Sequence, residues 1–96
     1  MTAYVIFDVD IHNMARYQDF MLAVKPAIEA AGGRYLARGG VHQVHEGDWS
    51  PRRIVILEFP SRAVWEQFYA GPYRALQAIR NECSSSRLVS VDGLTA

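Results

Sequence analysis

Three charged residues stand where strand alternation can bring them into one space. Asp8 and Asp10 close an otherwise apolar run, Ala3 to Asp10, rich in β-branched and aromatic residues. Side chains on a strand alternate between faces, so Asp8 and Asp10 share one face, opposite Phe7. In a second such run, Arg53 to Phe59, Ile54, Ile56 and Glu58 share a face by the same rule. If the two strands are neighbours, Asp8 and Glu58 look onto the same space, and Arg38, ending a third run, can reach them. A carboxylate held among apolar groups has a raised pKa and serves as a general acid or base, while an arginine beside it holds an anionic substrate. Asp8, Glu58 and Arg38 are therefore the candidate catalytic set. An ion-pair network that fixes subunit register would use the same residues, and that alternative stays open.

Aromatic residues supply a second constellation. Tyr17, Trp65, Phe68, Tyr69 and Tyr73 fall at spacings that place them between helices and a sheet. Trp65 and Phe68 sit on a helical stripe and read as core. Tyr69 and Tyr73 straddle a break at Gly71-Pro72, so their hydroxyls are expected to orient a small, partly apolar ligand, with Arg38 binding its charge. The break also frees backbone donors at the start of the next helix, which suit a carboxylate or phosphate. Trp49 lies in a turn and is expected on a pocket rim or against a partner subunit. His42 and His45 are three apart on a presumed strand and so point to opposite faces; His12 lacks a third ligand partner. No metal or cofactor is expected. Cys83 has no activating neighbour and reads as a small buried hydrophobe, and Ser84-Ser85-Ser86 carries no nucleophile-elbow pattern and reads as a turn.

The elements that must position these residues follow from periodicity. After the first strand, Asn13 caps a helix whose apolar stripe is Tyr17, Phe20, Met21, Val24 and Ile28, with a kink or break expected near Pro26. Gly32-Gly33 ends it. A second strand runs from Arg34 to Arg38, is bent by a bulge at Gly39-Gly40, and resumes through Val41 to His45. The Glu46 to Pro51 stretch is turn chemistry, and Arg53 to Phe59 forms the third strand. Ser61 caps a helix carrying Val64, Trp65 and Phe68, Pro72 opens a short helix with Tyr73, Leu76 and Ile79, and Arg87 to Asp92 makes a fourth strand. The order βαββαβ describes an α+β, ferredoxin-like domain over residues 1–96: a four-stranded antiparallel sheet with helices on one face.

Composition narrows the partners. Half of the 96 residues are apolar, more than one small core needs, which points to a second apolar surface buried against another copy of the chain. Ten basic and ten acidic residues cancel, which argues against a nucleic-acid partner. The N-terminal run reads as a strand rather than a signal peptide, and no apolar stretch approaches the length of a membrane span. One cysteine permits no internal disulfide, consistent with a reducing, cytoplasmic setting.

Taken together, Gly32-Gly33-Arg34-Tyr35-Leu36-Ala37-Arg38-Gly39-Gly40, the Glu46-Gly47-Asp48-Trp49 turn, the Glu58-Phe59-Pro60-Ser61 junction and the Tyr69-x-x-Pro72-Tyr73 step resemble the domain-of-unknown-function family 1330 (DUF1330), of the dimeric α/β-barrel superfamily. The resemblance implies a homodimer whose sheets face each other. It names no reaction. Distant members of the superfamily include cofactor-free monooxygenases, lactone isomerases and haem enzymes, and likeness of fold alone carries none of these chemistries over. The expected function is a small-molecule pocket in a homodimer, serving either cofactor-independent proton transfer or oxygenation, or binding and dimerisation without catalysis.

Overall fold

A computed structural model of the chain describes residues 1–94. Seven elements follow one another as β1 (Ala3–Ile11), α1 (Met14–Ala30), β2 (Arg34–Arg38), β3 (Ile54–Phe59), α2 (Arg62–Ala70), α3 (Tyr73–Cys83) and β4 (Ser84–Asp92). Local chemistry sets their ends. The Asn13 side chain accepts from the Arg16 amide at 3.1 Å, and Ser61 accepts from the Val64 amide at 3.2 Å, so α1 and α2 each begin with one orphan donor satisfied. At the far end of α1, Gly33 donates to the Ile28 carbonyl and Gly32 to that of Glu29, with Gly32 at φ +85°. This paired pattern needs a left-handed residue, which glycine supplies without steric penalty.

The sheet order is β2-β3-β1-β4, antiparallel throughout, giving the ferredoxin-like arrangement that the element order implied. In β1 the odd residues Val5, Phe7 and Val9 are buried under the helices, while the even residues face away from them. β3 follows with Val55, Leu57 and Phe59 on the helix side. Tyr17, Phe20, Val24 and Ile28 of α1, Trp65 and Phe68 of α2 and Tyr73 of α3 complete one core. Phe59 touches both Trp65 and Phe68, with ring centroids 5.3 and 5.4 Å away. The molecule measures 36 × 35 × 18 Å, the thickness of one sheet and one helix layer.

Four expectations are corrected. The bulge lies between Tyr35 and Ala37, not at Gly39-Gly40, and β2 ends at Arg38. Val41 to His45 does not resume the strand: residues 39–50 are exposed and carry no ladder, because β3 begins only at Ile54. Ser84-Ser85-Ser86 is strand rather than turn, paired with Ile11, Asp10 and Val9, so that α3 runs straight into β4. Pairing with the end of β1 overrides the turn preference of serine. Finally, α1 continues through Pro26 without a break. Pro26 and its would-be acceptor Leu22 both lie on the exposed face, where water can serve the freed carbonyl.

Candidate functional site

The sheet separates the residues that the sequence grouped. Asp8 pairs across from Ile54 and Glu58 from Tyr4, so both carboxylates do share the uncovered face. They stand four residues apart along it, however, about 14 Å at strand rise. Each has a local partner: Asp8 accepts from the Arg52 amide at 2.9 Å, and Glu58 holds Arg34 at 2.8 Å. Arg38 lies on the other face. It pairs across from Val55, and its guanidinium sits 4.8 Å from the centroid of the Tyr35 ring, whose own partner is Leu57. The cause is the bulge at Leu36. Strict alternation from Arg34 would have put Arg38 across from Ile54, on the face that carries Asp8 and Glu58; one extra residue shifts the phase and sends it to the helix side. The three residues do not form one cluster.

Arg38 instead borders a cavity between the sheet and helices α1 and α3. Its floor is Phe7, Val9, Val55 and Leu57, its walls are Tyr17, Phe20, Met21, Val24 and Tyr73, and Tyr35, Arg38 and Arg80 complete it. The inner void is about 30 Å³, room for one or two water molecules with the side chains as they stand. Outside it lies a groove of about 420 Å³ against α1, lined by Gln18, Met21, Leu22, Lys25, Pro26 and Arg38. Met21 and Arg38 belong to both spaces. An unbranched thioether and a long exposed arginine are adaptable side chains, and these two stand at the border of both spaces.

Of the aromatics expected at a pocket, Tyr17 and Tyr73 line this one, Tyr69 stacks on Tyr73 at 5.7 Å from outside it, and Trp65 and Phe68 pack in the core. Trp49 is half-exposed on the opposite side, in an open groove beside Asp8, Asp10 and Arg87. Among the described residues no group of three or more His, Cys, Asp or Glu is placed to hold a metal ion. His42 bonds the Pro51 carbonyl at 3.0 Å, and Cys83 is buried against the carbonyls of Ile79 and Arg80.

Electrostatically the cavity is one-sided. Arg80 is only 5 % exposed; its Nη1 donates to the Tyr73 hydroxyl at 2.8 Å and its Nη2 makes a long contact, 3.4 Å, to Asn81. Arg53 lies over Tyr17, 5.8 Å from the ring centroid, and donates to the Met21 sulfur at 3.8 Å. No carboxylate among the described residues comes within 4.0 Å of Arg38, Arg53 or Arg80. Burial pushes the Tyr73 phenol up to about 12, with Arg80 opposing the shift. The Tyr17 phenol is raised for the same first reason, against Arg53, and that of Tyr35 against Arg38. All three hydroxyls therefore keep their protons at neutral pH and can donate.

Comparison with known proteins sets this site in a family. The profile of the family described as a domain of unknown function (DUF1330) matches residues 2–94. The chain belongs to DUF1330. No curated protein matches. A protein of unknown function from Rhodopseudomonas palustris, RPA0582, shares 20 % identity, with a TM-score of 0.79 over 99 % of this chain and 84 % of that one. SnoaB, a cofactor-independent oxygenase from Streptomyces nogalater, shares 7 % identity, with a TM-score of 0.66 over 99 % of this chain and 95 % of that one. Rv0793 from Mycobacterium tuberculosis gives 12 % identity and a TM-score of 0.57 over 100 % of this chain and 98 % of that one. At such identities the likeness is one of fold.

Two arginines of this DUF1330 chain were not expected at the site, Arg80 in the cavity lining and Arg53 beside its Tyr17 and Met21. Arg80 falls seven residues after Tyr73 and three before Cys83, all buried on α3. A cation on an apolar stripe was the available signal. For Arg53 the signal was strand parity, which puts it on the face of Val55, Leu57 and Phe59.

Proposed function

We propose that this DUF1330 protein is a homodimer that binds a small organic molecule in the cavity beneath α1 and α3, entered between Met21 and Arg38. The observation that carries this reading is the cavity itself, apolar in floor and wall, bordered by tyrosine hydroxyls and arginines, and separated from an outer groove by two adaptable side chains. Arg38 and Tyr73 keep the ligand-binding roles expected of them, and Tyr69 supports Tyr73 from behind. Asp8, Glu58 and Trp49 belong to the uncovered sheet face, where Tyr4, Ile6, Ile54, Ile56, Val89 and Val91 present an apolar surface suited to a twin sheet. If turnover accompanies binding, by proton transfer or oxygenation, the base comes from ligand or solvent, since no carboxylate or imidazole lines the cavity.

No helix among the described residues is long and apolar enough to cross a membrane, and a reducing compartment suits the buried lone Cys83. Light scattering at micromolar concentration is expected to give a dimer, and replacing Val89 and Val91 by Asp to give a folded monomer. Native mass spectrometry of the freshly purified protein is expected to show a retained small molecule, lost in a Val24→Trp variant that fills the void. A monomeric wild type would refute the dimer. An unliganded wild type whose cavity resonances move with no added aromatic acid or amide would refute the pocket.

A further inference from the structure

The cavity holds a charge that the protein leaves unanswered. Arg80 is only 5 % exposed, yet no carboxylate of the described residues lies within 4.0 Å of it. Its Cζ lies over two aromatic rings, 5.9 Å from the Phe7 centroid and 5.6 Å from that of Tyr73. Its N–H groups are less well served. Nη1 is used on the Tyr73 hydroxyl, Nη2 has only the long Asn81 contact, and Nε, fully buried, has no acceptor. A buried cation without a counter-charge is strongly disfavoured, because burial strips its hydration and nothing replaces it.

The surroundings specify what would replace it. A guanidinium edge is a planar fork that matches the two oxygens of a carboxylate. Tyr73 accepts from Arg80 and so keeps its own proton free to donate, and Tyr17 lines the same void. Phe7, Val9, Phe20, Val24, Val55 and Leu57 offer only apolar contact to the rest of the molecule. A phosphate or sulfate would be poorly served, having more oxygens to satisfy than this wall has donors. Arg38, exposed at the mouth, gives an incoming anion an attractive first contact.

Resting on the pocket reading above, we infer that the ligand is a small carboxylic acid with a flat, apolar body, and that Arg80 is the buried residue that pairs with its carboxylate. The acid enters past Met21 and Arg38, displaces the weak Asn81 contact, and takes the free edge of Arg80 together with the Tyr73 hydroxyl. Binding is therefore selective for charge. A neutral molecule of the same shape leaves the guanidinium as unpaired as before.

The test compares benzoate and phenylacetate with benzamide and phenylacetamide, followed by amide NMR shifts of the full chain at millimolar concentrations. The acids are expected to shift resonances of β1, α1 and α3 around the cavity, and to bind roughly 10- to 100-fold more tightly than the amides. Arg80→Met should abolish that preference, Arg80→Lys should keep the charge but lose most of the affinity, and Arg38→Met should slow binding more than weaken it. Arg80→Met is also expected to melt at or above the wild-type temperature without ligand, since an unanswered charge has been replaced by apolar volume. If acids and amides bind equally, the anion inference is overturned and the pocket reading survives. If neither class moves the cavity resonances, both fall. A preference for acids that persists in Arg80→Met and disappears in Arg38→Met overturns the assignment of Arg80.

Discussion

Tyr73 offers a sharp quantitative check on the cavity, because its titration couples directly to stability. In the unfolded chain its phenol ionises near 10.0, while burial in the folded protein pushes this to about 12. Between these values the unfolded state has lost the proton and the native state still holds it, so unfolding releases a proton and rising pH favours unfolding. The stabilisation is complete below about pH 10 and is lost as pH climbs through about 12. Each pH unit of that interval is worth about 1.4 kcal/mol, which makes the full effect about 2–3 kcal/mol. Tyr73 is 2 % exposed, so solvent screening removes little of it.

The perturbation is Tyr73→Phe, and the assay is urea unfolding at pH steps from about 8 to about 11, within the window set by these two values. Below about pH 10 the variant should be less stable by roughly 1–3 kcal/mol, because it strands Arg80 Nη1 without its acceptor. From there upward wild type should lose its advantage by about 1.4 kcal/mol per unit while the variant does not. Taking the difference between the two proteins cancels Tyr17, whose raised phenol is common to both. A difference that stays constant across the range would mean that the Tyr73 hydroxyl ionises as it does in water, and the description of a dry, cationic cavity would be wrong.

Other perturbations test the frame around the site. Gly33→Ala puts a Cβ 2.8 Å from Phe59 and 2.9 Å from Ile28, both fully buried, so overpacking should cost about 1–3 kcal/mol and lower the melting temperature by roughly 4–8 °C per kcal/mol in calorimetry. Asn13→Ala removes the α1 cap and should cost about 1 kcal/mol in chemical denaturation. Glu58→Gln breaks an ion pair whose arginine is 70 % exposed; its effect should stay below about 1 kcal/mol and vanish in high salt. Loss of the fold in that variant would mark Glu58 as structurally essential.

How much of this was legible depended on whether direction followed from parity. In β1 and β3 it did: period-two alternation placed Asp8 and Glu58 on one face and Phe7 on the other. The caps at Asn13 and Ser61 were legible because capping is local chemistry. Arg38 was not, since its face depends on the residue of β2 that carries the bulge. The glycine pair drew attention to Gly39-Gly40, whereas the register shifts at Leu36, four residues after Gly32 and with no glycine of its own. Gly39 serves a different end. At φ +69° it turns the chain out of the strand, and a Cβ there would overlap the guanidinium of Arg53. The serine run misled for the converse reason, its local preference being overruled by a long-range partner, β1.

A formal net charge of zero conceals a separation of charge through the thickness of one sheet. Arg38, Arg53 and Arg80 lie on the helix side, while Asp8, Asp10 and Glu58 lie on the uncovered side. The single bulge at Leu36 contributes to this directly, because without it Arg38 would stand across from Ile54, on the carboxylates' own face. The carboxylates are instead answered locally, Glu58 by Arg34 and Asp8 by the Arg52 amide, both on their own face. That leaves Arg38, Arg53 and Arg80 without a carboxylate within 4.0 Å among the described residues. A carboxylate on the cavity floor could neutralise them from within, but the odd positions of β1 and β3 are Val5, Phe7, Val9, Val55, Leu57 and Phe59. An acid at any of them would lose its hydration unless it met Arg80 or Arg38 with good geometry. A diffusible carboxylate avoids this requirement, since it is solvated until the moment it binds. The same division leaves the uncovered face balanced enough to meet its copy, with Arg34 and Arg87 interspersed among its acids and apolar side chains.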